Sequence, residues 1–220
     1  MKRLIIAIDG PSGAGKGTIA RTLAQQLGYR HVDTGAMYRA VAWQAHYDHV
    51  PLNEEANVAA IAERADIVVE GGVVSMNGHD ITQAIRTADM DRAAAEVARL
   101  PRVREALVAK QRDMGRPGGV VMEGRDIGTV VFPEADLKIY LDASPEERAR
   151  RRANDPAHSG GRAGQAAVAA SIEERDKSDT TRAVSPLTLT PDAVHIDTTG
   201  VPIQKVVQQV LTLVNAYFSS

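Results

Sequence analysis

The chain has 220 residues, of which 44% are hydrophobic and 25% charged, and its formal net charge is −2. These values indicate one large α/β domain or a core domain with insertions, and they exclude an overall electrostatic attraction to nucleic acid or membranes. The absence of cysteine excludes disulfides, zinc–thiolate sites and cysteine nucleophiles. Because no apolar run would span a bilayer and the N-terminal one is too short for a signal peptide, we expect a cytoplasmic protein without membrane or nucleic-acid partners.

The first predicted elements are a buried strand, a glycine-rich loop and a helix. Residues 4–8, LIIAI, are all apolar, as in a strand that is covered on both faces. The spacing Gly10-x4-Gly15-Lys16 is that of a P-loop, which binds nucleotide phosphates through backbone N–H groups, a helix N-terminus and the lysine. The candidate ATP-binding residues are Gly10, Pro11, Ser12, Gly13, Ala14, Gly15, Lys16, Gly17 and Thr18.

One position departs from the usual P-loop pattern. The residue after the lysine is Gly17, whereas a serine or threonine is expected there, and the hydroxyl comes one residue later at Thr18. The shift leaves open whether Thr18 ligates Mg²⁺. It does not affect the prediction of a phosphate-binding loop, because the strand before the loop and the helix after it are both in place.

The predicted α-helix after the loop covers residues 19–27, where apolar side chains recur with a spacing of four and a glycine follows. A short strand over residues 29–32 comes next, and Asp33 or Thr34 is expected to cap a second helix. Arg39 lies in the first turns of that helix, close to a strand end, where α/β proteins bind ligands. It is therefore a candidate binding residue.

The sequence pattern changes over residues 52–100. A helix predicted at residues 53–65, capped by Asn53, precedes three short apolar segments separated by Gly71-Gly72 and Asn77-Gly78. Asn-Gly is a strong signal for a tight hairpin turn, so these segments predict a small antiparallel sheet. Such a sheet does not belong to a parallel one, and we interpret residues 52–100 as an inserted lobe.

The remaining elements complete an α/β pattern. They are helices at 88–100 and 103–114, strands at 119–122 and 137–141, a basic helix that starts after Ser144, a mobile Gly/Ala-rich segment at 154–170, a helix at 171–179, a strand at 194–196 and a helix at 202–218. Strands that alternate with helices predict a five-stranded parallel sheet with helices on both faces. The expected domains are a core (1–51, 101–147 and 171–220), the inserted lobe (52–100) and a lid (148–170).

Polar residues follow the predicted strands, where a parallel sheet places its ligands. Those expected to line one crevice with the P-loop are Asp33, Thr34, Glu123, Arg125, Asp126 and Asp142. The arginines expected to converge there are Arg39, Arg104, Arg125, Arg148, Arg151, Arg152, Arg175 and Arg182. Because guanidinium groups match phosphate oxygens, the crevice is expected to hold a second anionic group besides ATP, unless these arginines only pair with nearby acids on the surface.

The implied reaction is phosphoryl transfer from ATP, which depends mainly on positioning and charge neutralisation. If the acceptor is itself a phosphate, it is already a nucleophile at neutral pH and needs no general base. The arginine-rich segment 148–170 would then close over the donor and exclude water.

Several motifs resemble those of the bacterial cytidylate kinases, a branch of the nucleoside monophosphate kinases, along nearly the whole chain. The motifs are GPSGAGKGT at 10–18, DTGAMYR at 33–39, IRT at 85–87, PRVREAL at 101–107, GRDIGTVVFP at 124–133, KIYLDASPEERARRR at 138–152 and ERDKSDTTRAVSPL at 174–187. The resemblance implies a P-loop kinase fold and transfer of the γ-phosphoryl group of ATP to CMP or dCMP, in pyrimidine nucleotide metabolism. It also implies Mg²⁺ held mainly by phosphates and water, with Thr18 as a candidate ligand.

The same resemblance assigns roles to individual residues. The implied CMP-binding residues are Arg39, Arg125 and Arg182 for the acceptor phosphate, Arg104 and Asp126 for cytosine, and Thr34, Arg175 and Asp179 for the ribose. The implied catalytic residues are Lys16, Arg125, Arg148, Arg152 and Arg182. The chain departs from the family pattern in two places: Ala93, Ala94 and Ala95 lie where a small hydroxyl residue is common, and Ser178 lies where relatives can carry another arginine.

Other functions stay open at this point. A P-loop kinase for UMP, AMP or shikimate would share the loop and the arginines, and a nucleotide-dependent switch would share the loop alone. An RNA-binding module is disfavoured, because two Phe and one Trp offer few stacking surfaces. With no evident large apolar interface, we expect a monomer.

Overall fold

The computed structural model describes residues 3–155 and 165–219, with the backbone alone at residues 165 and 219. In these ranges the strands are β1 (Ile5–Asp9), β2 (Arg30–Asp33), β3 (Ile67–Glu70), β4 (Val73–Met76), β5 (His79–Asp80), β6 (Val120–Gly124), β7 (Leu137–Asp142) and β8 (Val194–Asp197). The α-helices are α1 (Lys16–Leu27), α2 (Thr34–Tyr47), α3 (Glu55–Arg64), α4 (Ala88–Val97), α5 (Pro101–Gly115), α6 (Pro145–Ala153), α7 (Gln165–Thr181) and α8 (Ile203–Ser219).

The predicted five-stranded parallel sheet is confirmed, and its strand order is β2-β6-β1-β7-β8. The central strand β1 is paired on both sides, so that Ile8 lies opposite Glu123 of β6 and Ile139 of β7. Side chains of β1 alternate between two cores, one with α1 and α8 and the other with α5. This burial on both faces explains why the strand sequence is continuously apolar.

The turns around α1 and α2 follow from local sequence. Gly28 ends α1 in the left-handed conformation at φ 64°, as its position predicted. Of the two candidate caps of α2, Asp33 performs the role, because its carboxylate accepts a hydrogen bond from the backbone N–H of Ala36 at 3.0 Å. The predicted cap Asn53 is wrong: α3 begins at Glu55, and Glu54 occupies the cap position without a side-chain capping bond.

The predicted antiparallel meander is confirmed as a three-stranded sheet in the order β3-β4-β5. Both of its turns have two residues with positive φ, at Gly71-Gly72 (59° and 86°) and at Asn77-Gly78 (52° and 82°). This sheet packs on α2, and buried side chains of α2 such as Met37 and Val41 lie in one cluster with those of the small sheet and of α3, α4 and α5. The inserted segment therefore shares its core with helix α2.

Two predictions in the second half of the chain need correction. Residues 165–170, predicted as an irregular mobile segment, form the first turns of α7, while residues 156–164 of that segment lie outside the described residues. Helix α5 begins at Pro101 rather than at residue 103, because proline fits the first helical turn, where no N–H partner is needed.

A single π-helical turn at Ile127–Val131 follows β6. The buried carboxylate of Asp9, at the end of β1, accepts hydrogen bonds from the backbone N–H groups of Ile127 at 2.9 Å and Gly128 at 2.7 Å. This contact fixes the segment after β6, which carries Arg125 and Asp126, relative to the P-loop strand. No helix among the described residues is long and apolar enough to cross a membrane.

Candidate active site

The loop between β1 and α1 has the backbone that a P-loop requires. Gly10, Gly13 and Gly15 have φ values of 145°, 80° and 91°, which only glycine adopts without strain. Lys16 is 7% exposed and donates from Nζ to the Pro11 carbonyl at 2.6 Å. Burial, aided by the nearby Arg125, lowers the pKa of Lys16 to about 7. The negative charge of a bound phosphate would raise this pKa again and favour the charged form of Lys16.

Gly10 is expected to tolerate no side chain. A Cβ at this position would lie 1.9 Å from the Leu141 carbonyl oxygen, so Gly10→Ala must displace the loop from β7. We expect kcat/KM to fall by about tenfold or more, with a lower melting temperature. The control is Gly71→Ala, which has a positive φ of 59° but meets nothing within 4 Å. Equal behaviour of the two variants in steady-state kinetics and thermal melting would contradict this reading of the loop.

A cavity of about 1420 Å³ opens beside the loop and is lined by residues of α1, α2, α4, α6, α7 and the end of β6. This volume exceeds that of the usual single-ligand pocket, which is at most about 1000 Å³. The predicted residues that line the cavity are Ser12, Gly13, Gly15, Lys16, Gly17, Thr18, Asp33, Thr34, Arg39, Arg104, Glu123, Arg125, Asp126, Arg151, Arg152, Arg175 and Arg182. Asp142, predicted to line the crevice, does not: its carboxylate accepts from the N–H of Ala143.

Arg104 and Asp126 form a buried ion pair in the lining of the cavity. They are 3% and 5% exposed and in direct contact. Arg104 also donates to the Ala98 carbonyl at 3.2 Å and lies over the Tyr38 ring, 5.6 Å from its centre. Each charge is therefore fixed by the other and by its surroundings, which is the arrangement needed to recognise a polar ring edge.

Asp179 is the centre of an arginine cluster. Its carboxylate accepts from Nε of Arg125 at 2.8 Å and from Nε of Arg175 at 3.3 Å, and it lies 3.8 Å from Nη1 of Arg182. Burial alone would raise the pKa of Asp179, but the arginines, Arg125 foremost, lower it to about 2. The carboxylate therefore stays ionised and holds the three guanidinium groups together in the crevice.

This lowered pKa predicts a loss of stability in acid. Because the folded-state pKa of Asp179 lies below its ordinary value of 3.8, its contribution is complete above pH 3.8 and is lost as the pH falls towards 2. The shift corresponds to about 2 kcal/mol of unfolding free energy. Urea unfolding of the wild type and of Asp179→Asn at pH 5 and pH 2 should show this loss in the wild type only. The same pH dependence in both proteins would contradict it.

The arginines of the basic helix α6 differ in whether they line the cavity. Arg148 lies outside the cavity lining, where it donates to the Ala143 and Ser12 carbonyls at 3.0 and 3.2 Å and pairs with Asp176. Arg152 lines the cavity and contacts Asp91 of the inserted segment. The predicted pair of catalytic arginines thus separates into one that supports the P-loop backbone and one that faces the cavity.

Arg151 and Thr198 connect the same helix to the loop. Arg151 donates to the Thr198 carbonyl at 2.6 Å and to the Ala14 carbonyl at 3.3 Å, while the buried Thr198 hydroxyl donates to Ala14 at 3.2 Å. Sequence reasoning missed Thr198, although its position after β8 was the available signal, since it is a polar residue directly beyond a strand end.

The edge formed by β2 and β6 adds a second group of polar contacts. The buried Thr34 hydroxyl donates to the Glu123 carbonyl at 2.7 Å, and Nη2 of Arg39 donates to Asp33 at 2.9 Å. The Glu123 carboxylate lies 2.8 Å from Nε2 of His31 and close to Gly17 in the P-loop. The sequence predicted Glu123 as a lining residue but not its pairing with His31.

The three consecutive alanines at residues 93–95, where relatives commonly have a hydroxyl residue, lie on α4 and differ in their surroundings. Ala93 and Ala94 are buried in the core, while Ala95 lines the cavity. Ala95 is therefore the position of the three at which a hydroxyl would face a bound ligand.

The chain is similar in sequence to known proteins along most of its length. The family model described as cytidylate kinase matches residues 6–216. A cytidylate kinase of Solibacter usitatus is 48% identical over 98% of this chain and 94% of its own length, and one of Bacillus subtilis is 44% identical over 97% of each. A shikimate kinase from Bacteroides thetaiotaomicron, with 12% identity, superposes with a TM-score of 0.52 over 97% of this chain and 99% of its own, which shows a shared fold. On its sequence along almost its entire length, the chain belongs to the cytidylate kinase family.

Proposed function

We propose that this enzyme transfers the γ-phosphoryl group of ATP to CMP or dCMP, giving ADP and CDP or dCDP. The observation that carries the proposal is one cavity of about 1420 Å³ that joins a P-loop to a group of inward-facing arginines. Within the described part of the chain, buried Nε atoms of Arg39 and Arg104 and Nη2 of Arg182 form no hydrogen bond. Buried donors without acceptors are rare, and phosphate and base oxygens would supply the missing partners.

The residue assignments divide this cavity between ATP and the acceptor. The P-loop residues 10–18 hold the ATP phosphates, with Lys16 at the β- and γ-phosphates. For the acceptor, Arg39, Arg125 and Arg182 hold the phosphate, Arg104 and Asp126 contact cytosine, and Thr34, Arg175 and Asp179 contact the ribose. Asp179 does not itself line the cavity in this structure, so its contact with the ribose requires a shift of the arginines that cover it.

The chemistry requires little beyond positioning. The acceptor phosphate attacks the γ-phosphorus of ATP, the bond to the β-phosphate oxygen breaks, and ADP leaves. The acceptor oxygen is anionic at neutral pH, so no base is needed. Lys16, Arg125, Arg152 and Arg182 offset the charge on the transferring group, and Arg148 supports the loop through the Ser12 carbonyl.

The residues present fit a magnesium ion that is bound through the nucleotide. Among residues 3–155 and 165–219, no group of three His, Cys, Asp or Glu side chains is placed to hold a metal. The exposed Thr18 and the carboxylate of Glu123 both line the cavity beside the loop. They would hold Mg²⁺ directly or through water, and the ion would neutralise phosphate charge.

We also propose the division into a core, an inserted lobe at 52–100 and a lid at 148–170.

A substrate panel tests the proposal. ADP formation from Mg-ATP is measured with CMP, dCMP, UMP and AMP as acceptors, at equal concentrations. We expect rapid turnover with CMP and dCMP, weak turnover with UMP and none with AMP. ATP hydrolysis that ignores all four acceptors would contradict the proposal and favour a nucleotide-dependent switch.

A further inference from the structure

Asp91 of α4 connects three separate parts of the enzyme across the cavity. Its carboxylate contacts Arg152 of α6 and lies 3.7 Å from Nη1 of Arg39 in α2. Its backbone carbonyl accepts from Nη1 of Arg175 in α7 at 2.6 Å. The side chain is 21% exposed and lines the cavity. One acidic residue of the inserted segment thus engages arginines from three helices.

The two arginines beside the Asp91 carboxylate, Arg39 and Arg152, are ones to which the proposed function assigns phosphates. Guanidinium groups bind carboxylates and phosphates with the same planar fork of N–H donors. By that assignment, the Asp91 carboxylate lies between an arginine for the acceptor phosphate, Arg39, and one for the transferring group, Arg152. A substrate phosphate brought to either arginine would meet a like charge a few ångströms away.

We propose that Asp91 is a positioning residue that holds Arg39 and Arg152 in the empty enzyme and yields them to substrate phosphate. The inference rests on the proposed function and adds an order of events to it. While Asp91 holds Arg152, bound ATP lacks part of its charge stabilisation, and the acceptor phosphate releases that arginine by displacing the carboxylate. Transfer to water is thereby suppressed until the acceptor arrives. Apparent affinity for the acceptor is reduced, because only molecules with Asp91 released bind it fully.

The test compares Asp91→Asn with Asp89→Asn. Both residues are acidic and lie in the first turn of α4, but Asp89 is 75% exposed and pairs with Arg92. The measurements are the Kd for CMP by calorimetry without ATP, and ATP hydrolysis without acceptor. For Asp91→Asn we expect the Kd to fall by about fivefold and acceptor-free hydrolysis to rise by about threefold. Asp89→Asn should match the wild type in both.

The direction in which the Kd for CMP changes distinguishes this role of Asp91 from a merely structural one. If Asp91 only tied α4 to α6, its loss would weaken CMP binding, so a raised Kd would overturn the proposal, as would values equal to those of Asp89→Asn. Asp91→Ala, measured alongside, guards against misfolding of one variant, and a cooperative thermal transition confirms that each is folded. Wild-type enzyme that neither binds nor phosphorylates CMP would instead refute the proposed function.

Discussion

Replacement of Lys16 by methionine is expected to lower kcat by about a thousandfold, comparable to the removal of a principal charge-stabilising group in other enzymes. Lys16 lies in the first turn of α1, and its amino group, whose charged form a bound phosphate would favour, already points into the loop, toward the Pro11 carbonyl. Methionine keeps an unbranched side chain that is one atom shorter, and it removes the charge. Since charge builds on the transferring group and on its leaving oxygen, the loss should appear mainly in kcat.

The control for Lys16 is Lys205→Met on α8, which removes an exposed lysine that does not line the cavity. Steady-state kinetics with saturating ATP and CMP should show wild-type turnover for this control. Binding of CMP to Lys16→Met should stay within a few fold of the wild type, because Lys16 is not among the residues that we propose to bind the acceptor. Turnover of Lys16→Met within about tenfold of the wild type would mean that the loop does not hold the reacting phosphates.

Asp126→Asn is expected to weaken the preference for CMP over UMP by about tenfold or more. The carboxylate can only accept hydrogen bonds, which suits the amino group at N4 of cytosine and opposes the carbonyl oxygen that uracil has there. An amide can do both. Asp126 is 5% exposed and its carboxylate is paired with Arg104, so its hydrogen-bonding direction is fixed in a site that excludes most water.

The readout for Asp126 is the ratio of kcat/KM for CMP to that for UMP, measured on one preparation. The ratio is independent of the active fraction, which matters because removal of one partner from a buried ion pair destabilises the fold by about 3–5 kcal/mol. Asp113→Asn, which alters a 65% exposed carboxylate paired with Arg116, is the matched control. An unchanged ratio in Asp126→Asn would place base recognition elsewhere in the cavity.

Local sequence predicted the elements whose structure depends on nearby residues. The P-loop could be located from Gly10 to Lys16 because its strained backbone requires glycine at fixed positions. The hairpin at Asn77-Gly78 could be located for the same reason, as both residues have positive φ. Apolar periodicity then identified the strands and helices around them.

Features that depend on how distant elements pack could not be predicted in this way. The contact of Asp9 with Ile127 joins residues far apart in sequence, and nothing near Asp9 indicates it. Arg148 and Arg152 lie four residues apart on α6, and the family resemblance implied a catalytic role for both. The packing of that helix instead turns Arg148 towards Ser12 and Arg152 towards Asp91.

The most direct test of phosphoryl transfer between two nucleotides in one cavity is a single-turnover experiment with ATP that carries a radioactive label on its γ-phosphate. Excess enzyme is mixed with labelled Mg-ATP and CMP, and the products are separated by chromatography. Our account predicts that the label appears in CDP, at its β-phosphate, as fast as ADP forms. Label released as inorganic phosphate, with CMP unchanged, would contradict it.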